Sequence, residues 1–150
     1  YPMYRGVARM VGMSVEGVPG TTAETVDVLE QVWGGYDLYF VHFKDTDTRG
    51  HDGDFAGKVA AIEEIDALFP RITALDPDVV IVTGDHSTPT LMKEHSWHPV
   101  PTLMASRLAR PTAAAFGEAS CRGGDLGTFH GTGLIPNALA HAGRLIKFGA

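Results

Sequence analysis

The sequence predicts an α/β fold with a mostly parallel sheet flanked by helices. Two nearly continuous apolar runs, YDLYFVHF at 36–43 and VVIV within 78–85, have the composition of strands that are buried on both faces. Between them lies a long segment that includes apolar residues at helical spacing. A strand, helix and strand joined by so long a connection favour parallel pairing through a right-handed crossover.

Two helices are predicted before the first strand. One begins at Pro2, since proline suits the first turn, and ends near Gly12. The next follows a capping box, in which the Thr21 hydroxyl and the Glu24 carboxylate exchange hydrogen bonds with free backbone N–H groups. Glycines at 34–35 end this helix. Its apolar residues recur three or four positions apart and predict one buried stripe: Val26, Leu29, Val32 and Trp33.

The remaining elements are predicted from the same local signals. The polar, glycine-containing stretch KDTDTRGHDGD at 44–54 is expected to be a loop, and a helix is expected from about Asp54. Three further predictions are an apolar piece VPTLMAS at 100–106, a glycine-rich surface loop at 117–133, and a last helix that begins near Pro136 with Gly149 past its end.

Length, charge and cysteine content limit the class of protein. A chain of 150 residues suits one domain, and its net charge of −6 argues against nucleic acid or an anionic membrane as the main partner. The single cysteine, Cys121, excludes an internal disulfide and fits a reducing compartment, so we expect a cytoplasmic protein. No stretch approaches the ~20 apolar residues that span a bilayer. Neither Met nor a signal peptide opens the chain, so we expect it to be part of a longer one.

Acidic and imidazole side chains follow both predicted strands. Asp47 and His51, four residues apart after the first strand, share one side of a helical turn or a tight loop. Asp85 and His86 follow the second strand directly, and His95 comes nine residues after His86. These nitrogen and oxygen donors suit Mn²⁺, Zn²⁺, Co²⁺ or Fe²⁺ better than Ca²⁺. Either pair alone would indicate a structural role, but their coincidence at strand ends, where ligands bind, predicts a metal site.

Three motifs, DTRGHDG, VVIVTGDHSTP and HSWHPVP, resemble the metal-binding motifs of the alkaline phosphatase superfamily. The sequence is most similar to the cofactor-independent (2,3-bisphosphoglycerate-independent) phosphoglycerate mutases of the archaeal type. The resemblance extends over nearly the whole chain. It implies that residues 1–150 form the C-terminal portion of an alkaline-phosphatase-like metal-binding domain, whose N-terminal part is absent.

The resemblance also implies a site for two divalent ions, which could be Mn, Zn, Co or Mg, and no organic cofactor. Asp47, His51 and His95 match the ligands of one ion, and Asp85 and His86 match two ligands of the second. His98 is the alternative to His95, which fits the family's His-x-x-x-Pro-Val-Pro pattern better. The substrate-binding residues are not identified.

The activity that the resemblance implies is the glycolytic interconversion of 3-phosphoglycerate and 2-phosphoglycerate through a phospho-serine enzyme. Nothing in this chain matches the family's N-terminal nucleophile. We therefore expect the nucleophile to lie in the missing N-terminal part of the same enzyme and the chain alone to be inactive. Expected partners are phosphoglycerate, that missing part and, in a homo-oligomer, a second copy of the enzyme. Neither nucleic acid nor a membrane is expected. Related phosphatases, phosphomutases or sulfatases, and a non-catalytic metal-binding module, are the alternatives.

Overall fold

A computed structural model describes residues 1–112 and 115–145 of the chain. The chain divides into two compact units, each built from two stretches of sequence. The first unit contains Tyr1–Leu75 and Thr90–Glu94, and the second contains Asp76–Pro89 and the residues from His95 onward. Two of the predicted ligands, Asp47 and His51, therefore belong to the first unit, and the other three belong to the second.

The first unit is helical. Its helices are α1 (Pro2–Met10), α2 (Thr22–Val32), α3 (Asp45–Asp52) and α4 (Phe55–Thr73). The capping box before α2 is confirmed, since Thr21 Oγ1 accepts a hydrogen bond from the Glu24 N–H at 3.1 Å. The Glu24 carboxylate accepts from the Gly20 N–H at 2.7 Å, one residue earlier than the usual partner. Gly34, with φ of +83°, follows the helix as predicted.

Helix α2 carries the most deeply buried apolar side chains of the described residues. Val26 is fully buried and Leu29 nearly so, which confirms the inner part of the predicted stripe. Helices α2 and α4 pack together, and Arg71 of α4 bonds Asp27 at 2.7 Å and Glu30 at 2.5 and 2.8 Å. The hydrogen bond from Arg71 lowers the pKa of the Glu30 carboxyl, and the same bonds raise the pKa of the guanidinium.

The polar stretch that was expected to be a loop is helix α3, so that prediction is wrong. Its composition is poor for a helix, but its charges suit the helix dipole, with Asp45 and Asp47 in the first turn and Arg49 and His51 in the last. Gly53, with φ of +72°, ends the helix in the left-handed conformation. As predicted, the next helix follows at once, and the Asp54 carboxylate caps it by accepting from the Gly57 N–H at 2.8 Å.

The run at 36–43 is not a strand, which corrects the prediction of a strand buried on both faces. Leu38 is 56% exposed and Phe40 is 70% exposed. Its first half is held by Tyr39, whose ring stacks on Trp33 and whose hydroxyl donates to the Val32 carbonyl at 3.2 Å. Apolar composition favours burial, but a strand also needs a neighbour for its backbone, and none of the described strands pairs with this run.

The second unit contains β1 (Val79–Val82) and β2 (Leu103–Ser106), at the two places where strands or apolar pieces were predicted. These strands pair antiparallel, with Val79 opposite Ser106 and Val82 opposite Leu103. The α/β class is therefore confirmed, while the predicted parallel pairing is wrong in the described sheet. The reason is that β1 pairs with a later segment, reached through a return of the chain at the antiparallel Ser87–Ser96 bridge, instead of with 36–43.

The remaining described elements of the second unit are short helices. The predicted surface loop at 117–133 contains a short helix, α5 (Glu118–Cys121), and a 3₁₀ turn (Gly131–Gly133). Helix α6 (Leu134–His141) begins two residues before the predicted Pro136 and packs against β1, while His141 Nδ1 lies 2.8 Å from the Ser106 hydroxyl on β2. Gly149 lies outside the described residues. No helix among the described residues is long and apolar enough to cross a membrane.

Candidate metal-binding residues

Helix α3 brings Asp47 and His51 together in the first unit. Their four-residue spacing places both side chains on one face of the helix, with His51 Nε2 3.7 Å from Asp47 Oδ1. The other ring nitrogen, His51 Nδ1, lies 3.0 Å from the backbone carbonyl oxygen of Lys93. Histidines that ligate metals commonly donate the other ring N–H to a backbone carbonyl, which fixes the orientation of the ring. This pair therefore has the arrangement of a metal-ligating carboxylate and imidazole.

Lys44 precedes this helix and donates a hydrogen bond to Asp47 Oδ2. Its ammonium also lies 5.3 Å from the centre of the Tyr1 ring. The hydrogen bond to Asp47 raises the pKa of the Lys44 ammonium, more than partial burial lowers it. The Lys44 ammonium therefore balances the charge of the Asp47 carboxylate and bonds Oδ2, while Oδ1 is the oxygen nearer His51.

In the second unit, Asp85 and His86 follow β1 after two residues, Thr83 and Gly84. The Asp85 carboxylate turns back to accept a hydrogen bond from the His86 N–H at 3.1 Å. As a result, His86 Nε2 lies 3.5 Å from Asp85 Oδ1, although neighbours on an extended chain point in opposite directions. The His86 Nδ1 atom lies 3.1 Å from the hydroxyl of Thr88. Both predicted pairs thus present an Nε2 atom beside a carboxylate oxygen.

His95 meets His86 within the same unit. Their rings are stacked with centroids 3.6 Å apart and an angle of 29° between the planes. The contact follows from the backbone, because the Ser96 N–H donates to the Ser87 carbonyl at 2.9 Å and holds the two loops side by side. His98, the alternative to His95, lies against other groups: its Nδ1 is 2.9 Å from the Ser96 hydroxyl and its ring stacks on Trp97.

The sequence did not indicate Thr88 or Lys93 as contacts of the predicted ligands. Thr88 is two residues after His86, a spacing that gives no periodic signal, and it is 4% exposed. Lys93 contributes its backbone and has φ of +55°, a conformation that lysine rarely adopts and that residue type alone does not reveal. Only the local fold shows that these residues contact the imidazoles.

The donors suit a divalent cation of the first transition row. Neutral imidazole nitrogens and carboxylate oxygens are the ligands that Zn²⁺, Mn²⁺ and Co²⁺ accept, and no thiolate stands among the predicted ligands. In each pair the carboxylate contributes negative charge while the Nδ1 contact orients the ring. Each unit therefore offers donors that fit the expected ion, and the assignment of individual ligands stays a prediction.

A family profile described as the metalloenzyme superfamily matches residues 2–136 of the chain. The chain therefore belongs to the metalloenzyme superfamily. Membership of this superfamily implies that the protein uses divalent metal ions.

Curated relatives make the relationship more specific. The chain is 50% identical to the probable 2,3-bisphosphoglycerate-independent phosphoglycerate mutase of Thermotoga maritima, 49% identical to that of Thermus thermophilus and 47% identical to that of Aquifex aeolicus. Each alignment covers the whole chain, which confirms the resemblance found in the three motifs. The chain spans only 37–38% of the length of these relatives.

A solved structure agrees with the fold. The PH0037 protein from Pyrococcus horikoshii matches 98% of the chain with a TM-score of 0.85 and 34% identity, over 48% of its own length.

Proposed function

We propose that this chain supplies metal ligands to an enzyme that interconverts 3-phosphoglycerate and 2-phosphoglycerate by metal-dependent phosphoryl transfer. The observation that carries the proposal is the identity of 47–50%, over the whole chain, to proteins named probable phosphoglycerate mutases. The relatives are more than twice as long as this chain, so the activity is proposed for a longer protein. We assign that protein to glycolysis and to the cytoplasm.

In this proposal Asp47, His51 and His95 hold one ion, and Asp85 and His86 contribute to a second. Support comes from the two pairs, in which Nε2 lies 3.7 Å and 3.5 Å from a carboxylate oxygen. The chemistry that bound divalent ions supply is neutralisation of the phosphoryl oxygens and activation of a hydroxyl nucleophile. Manganese is the ion that we propose first, because oxygen and imidazole donors without thiolate suit it.

The residues of this chain bind and orient, and we propose that the serine or threonine nucleophile lies outside it. The carboxylates of Asp47 and Asp85 provide the negative charge that holds cations close to a phosphorylated substrate. The imidazoles act as neutral ligands, and their second ring nitrogens fix the ring orientation. The 150-residue chain by itself should therefore bind metal and show no mutase activity.

The test is an assay of the longest protein that the reading frame encodes, after chelation and readdition of Mn²⁺. We expect interconversion of the two phosphoglycerates to require the ion. Asp47→Asn and Asp85→Asn should each lower the rate by at least about 10²-fold, since each removes a charged ligand. Asp52→Asn is the matched control, because Asp52 is an exposed carboxylate on the same helix as Asp47 and should leave the rate within about twofold.

Each contrary result indicates a different error. Release of inorganic phosphate without isomerisation would favour a phosphatase, and metal binding with no turnover would favour a non-catalytic module. Mutase activity in the 150-residue chain would refute an external nucleophile. Full activity of Asp47→Asn together with Asp85→Asn would refute the ligand assignment.

A further inference from the structure

Thr88 is the buried polar side chain closest in sequence to a predicted ligand. Among the described residues it is the polar side chain that is buried, with only 4% of its surface exposed. It stands two residues after His86 and three after Asp85, in the loop that the Ser87–Ser96 bridge fixes. A hydroxyl at such depth is costly to bury without a hydrogen-bonding partner, so the groups that it contacts are informative.

The Thr88 hydroxyl lies 3.1 Å from His86 Nδ1, within normal hydrogen-bonding distance. The opposite ring nitrogen, Nε2, lies 3.5 Å from Asp85 Oδ1, which is longer than a good N–H···O bond. A neutral imidazole carries a single proton, so a His86 that binds a cation through Nε2 carries this proton on Nδ1. The Thr88 oxygen, 3.1 Å away, is then placed to accept it.

The ring of His86 is also restrained on its face. His95 stacks on it at 3.6 Å, so rotation of the imidazole about its bond to the main chain would break that contact. The Thr88 hydroxyl restrains the edge of the ring at Nδ1, and stacking of His95 restrains its face. Together they hold Nε2 in one direction.

We infer that Thr88 is a positioning residue for His86, whose buried hydroxyl accepts the Nδ1–H hydrogen bond and keeps Nε2 unprotonated as the atom that binds a divalent cation. The inference deepens the proposed function, because it depends on His86 being a ligand. It adds a residue that acts on the bound cation through the imidazole of His86. Removal of a hydrogen bond that orients a ligating histidine commonly weakens metal binding by about 10–100-fold.

The test compares Thr88→Val, which keeps the shape and removes the hydroxyl, with Thr88→Ser, which keeps the hydroxyl and removes a methyl group. All variants are made in the longest protein that the reading frame encodes. Zn²⁺ is the calorimetric probe, and the site that Asp85→Asn abolishes is the site followed. We expect Zn²⁺ to bind Thr88→Val about 10-fold more weakly and Thr88→Ser within about threefold of the parent.

The second readout is the tautomer of His86 in the metal-free protein. Nitrogen-15 shifts of the ring, measured at about pH 8 where an ordinary imidazole is neutral, report which nitrogen carries the proton. The parent and Thr88→Ser should show the Nδ1–H form, and Thr88→Val should gain the Nε2–H form. A purely structural role for Thr88 would lower thermal stability without this change.

The outcomes separate this inference from the proposed function. If the parent protein binds no Zn²⁺ at a site that needs Asp85, the proposed function is wrong, and the inference is wrong with it. If that site binds Zn²⁺ equally well in Thr88→Val, with an unchanged tautomer, only the inference is wrong. An Nε2–H tautomer in the parent overturns it without any variant, so failure of Thr88→Val to fold does not protect it.

Discussion

Gly53 ends helix α3 two residues after His51, and its replacement by alanine should destabilise the protein. The residue has φ of +72°, a conformation in which a side chain is strained. A Cβ atom at this position would also overlap Cε of Lys93 and lie 3.1 Å from its Nζ. The prediction separates these two effects, since one belongs to the backbone and the other to a neighbour.

The expected magnitude follows from each effect in turn. A non-glycine residue in the left-handed region costs about 1–2 kcal/mol. The overlap involves the far end of a flexible side chain, which costs almost nothing if the chain takes another rotamer and about 0.5–1.5 kcal/mol if it is forced off its rotamer. Gly53→Ala should thus lower the free energy of unfolding by about 1–3.5 kcal/mol. In a Lys93→Ala background, about 1–2 kcal/mol of that loss should remain.

Urea denaturation of the four proteins of this double-mutant cycle provides the measurement, read as midpoints at constant slope. Gly53→Asn in the Lys93→Ala background is the control, because asparagine tolerates the left-handed conformation and should cost less than about 1 kcal/mol. The reasoning would be refuted if alanine cost less than about 0.5 kcal/mol in that background, or if asparagine cost as much as alanine.

Two further predictions concern helices α2 and α4. Thr21→Ala should lower the free energy of unfolding by about 1 kcal/mol, because it leaves the Glu24 N–H without its cap. Thr21→Ser keeps the hydroxyl and should change this free energy little. Equal urea midpoints for the alanine and serine variants would contradict the cap. Because Arg71 lowers the pKa of Glu30, their interaction stabilises the fold above the unfolded pKa of that carboxyl and is lost as pH falls through the folded value. In Arg71→Met and in Glu30→Gln, the free energy of unfolding should therefore fall less steeply between about pH 5 and pH 3. Urea titrations at several pH values measure this dependence. An unchanged dependence on pH in both variants would count against the ion pair.

Helix boundaries were predictable because the signals for them are local. Thr21 and Asp54 cap their helices through backbone N–H groups three residues away, and Gly34 takes the positive φ that ends α2. Helix α3 was missed because its residues have low helix propensity, and its stability depends on charges placed to suit the dipole and on Gly53.

Strand pairing could not be predicted from the same kind of signal. The pattern at 36–43 indicates burial, but which segment lies beside a strand is decided by residues far away in sequence. Val79 pairs with Ser106, and no feature of either residue specifies the other. Pairing therefore followed from the return of the chain between the strands, not from the apolar pattern of each.

For the candidate site, the sequence predicted the two acid–histidine pairs but not their environment. Spacing was enough for Asp47 and His51, since four residues correspond to about one helical turn. It was insufficient for Asp85 and His86, where a side-chain-to-backbone bond reverses the usual divergence of neighbours. Only the three-dimensional structure shows that Thr88 and the carbonyl of Lys93 contact the imidazoles.

The uncovered run at 36–43 has a practical consequence for anyone who handles the 150-residue chain. Leu38 and Phe40 are exposed in a run with apolar neighbours, few charges and no proline, which is the sequence pattern of segments that form cross-β aggregates. Dilute storage and the substitution Phe40→Lys would slow such self-association. Phe40 does not belong to the described core, so its replacement should leave the core intact.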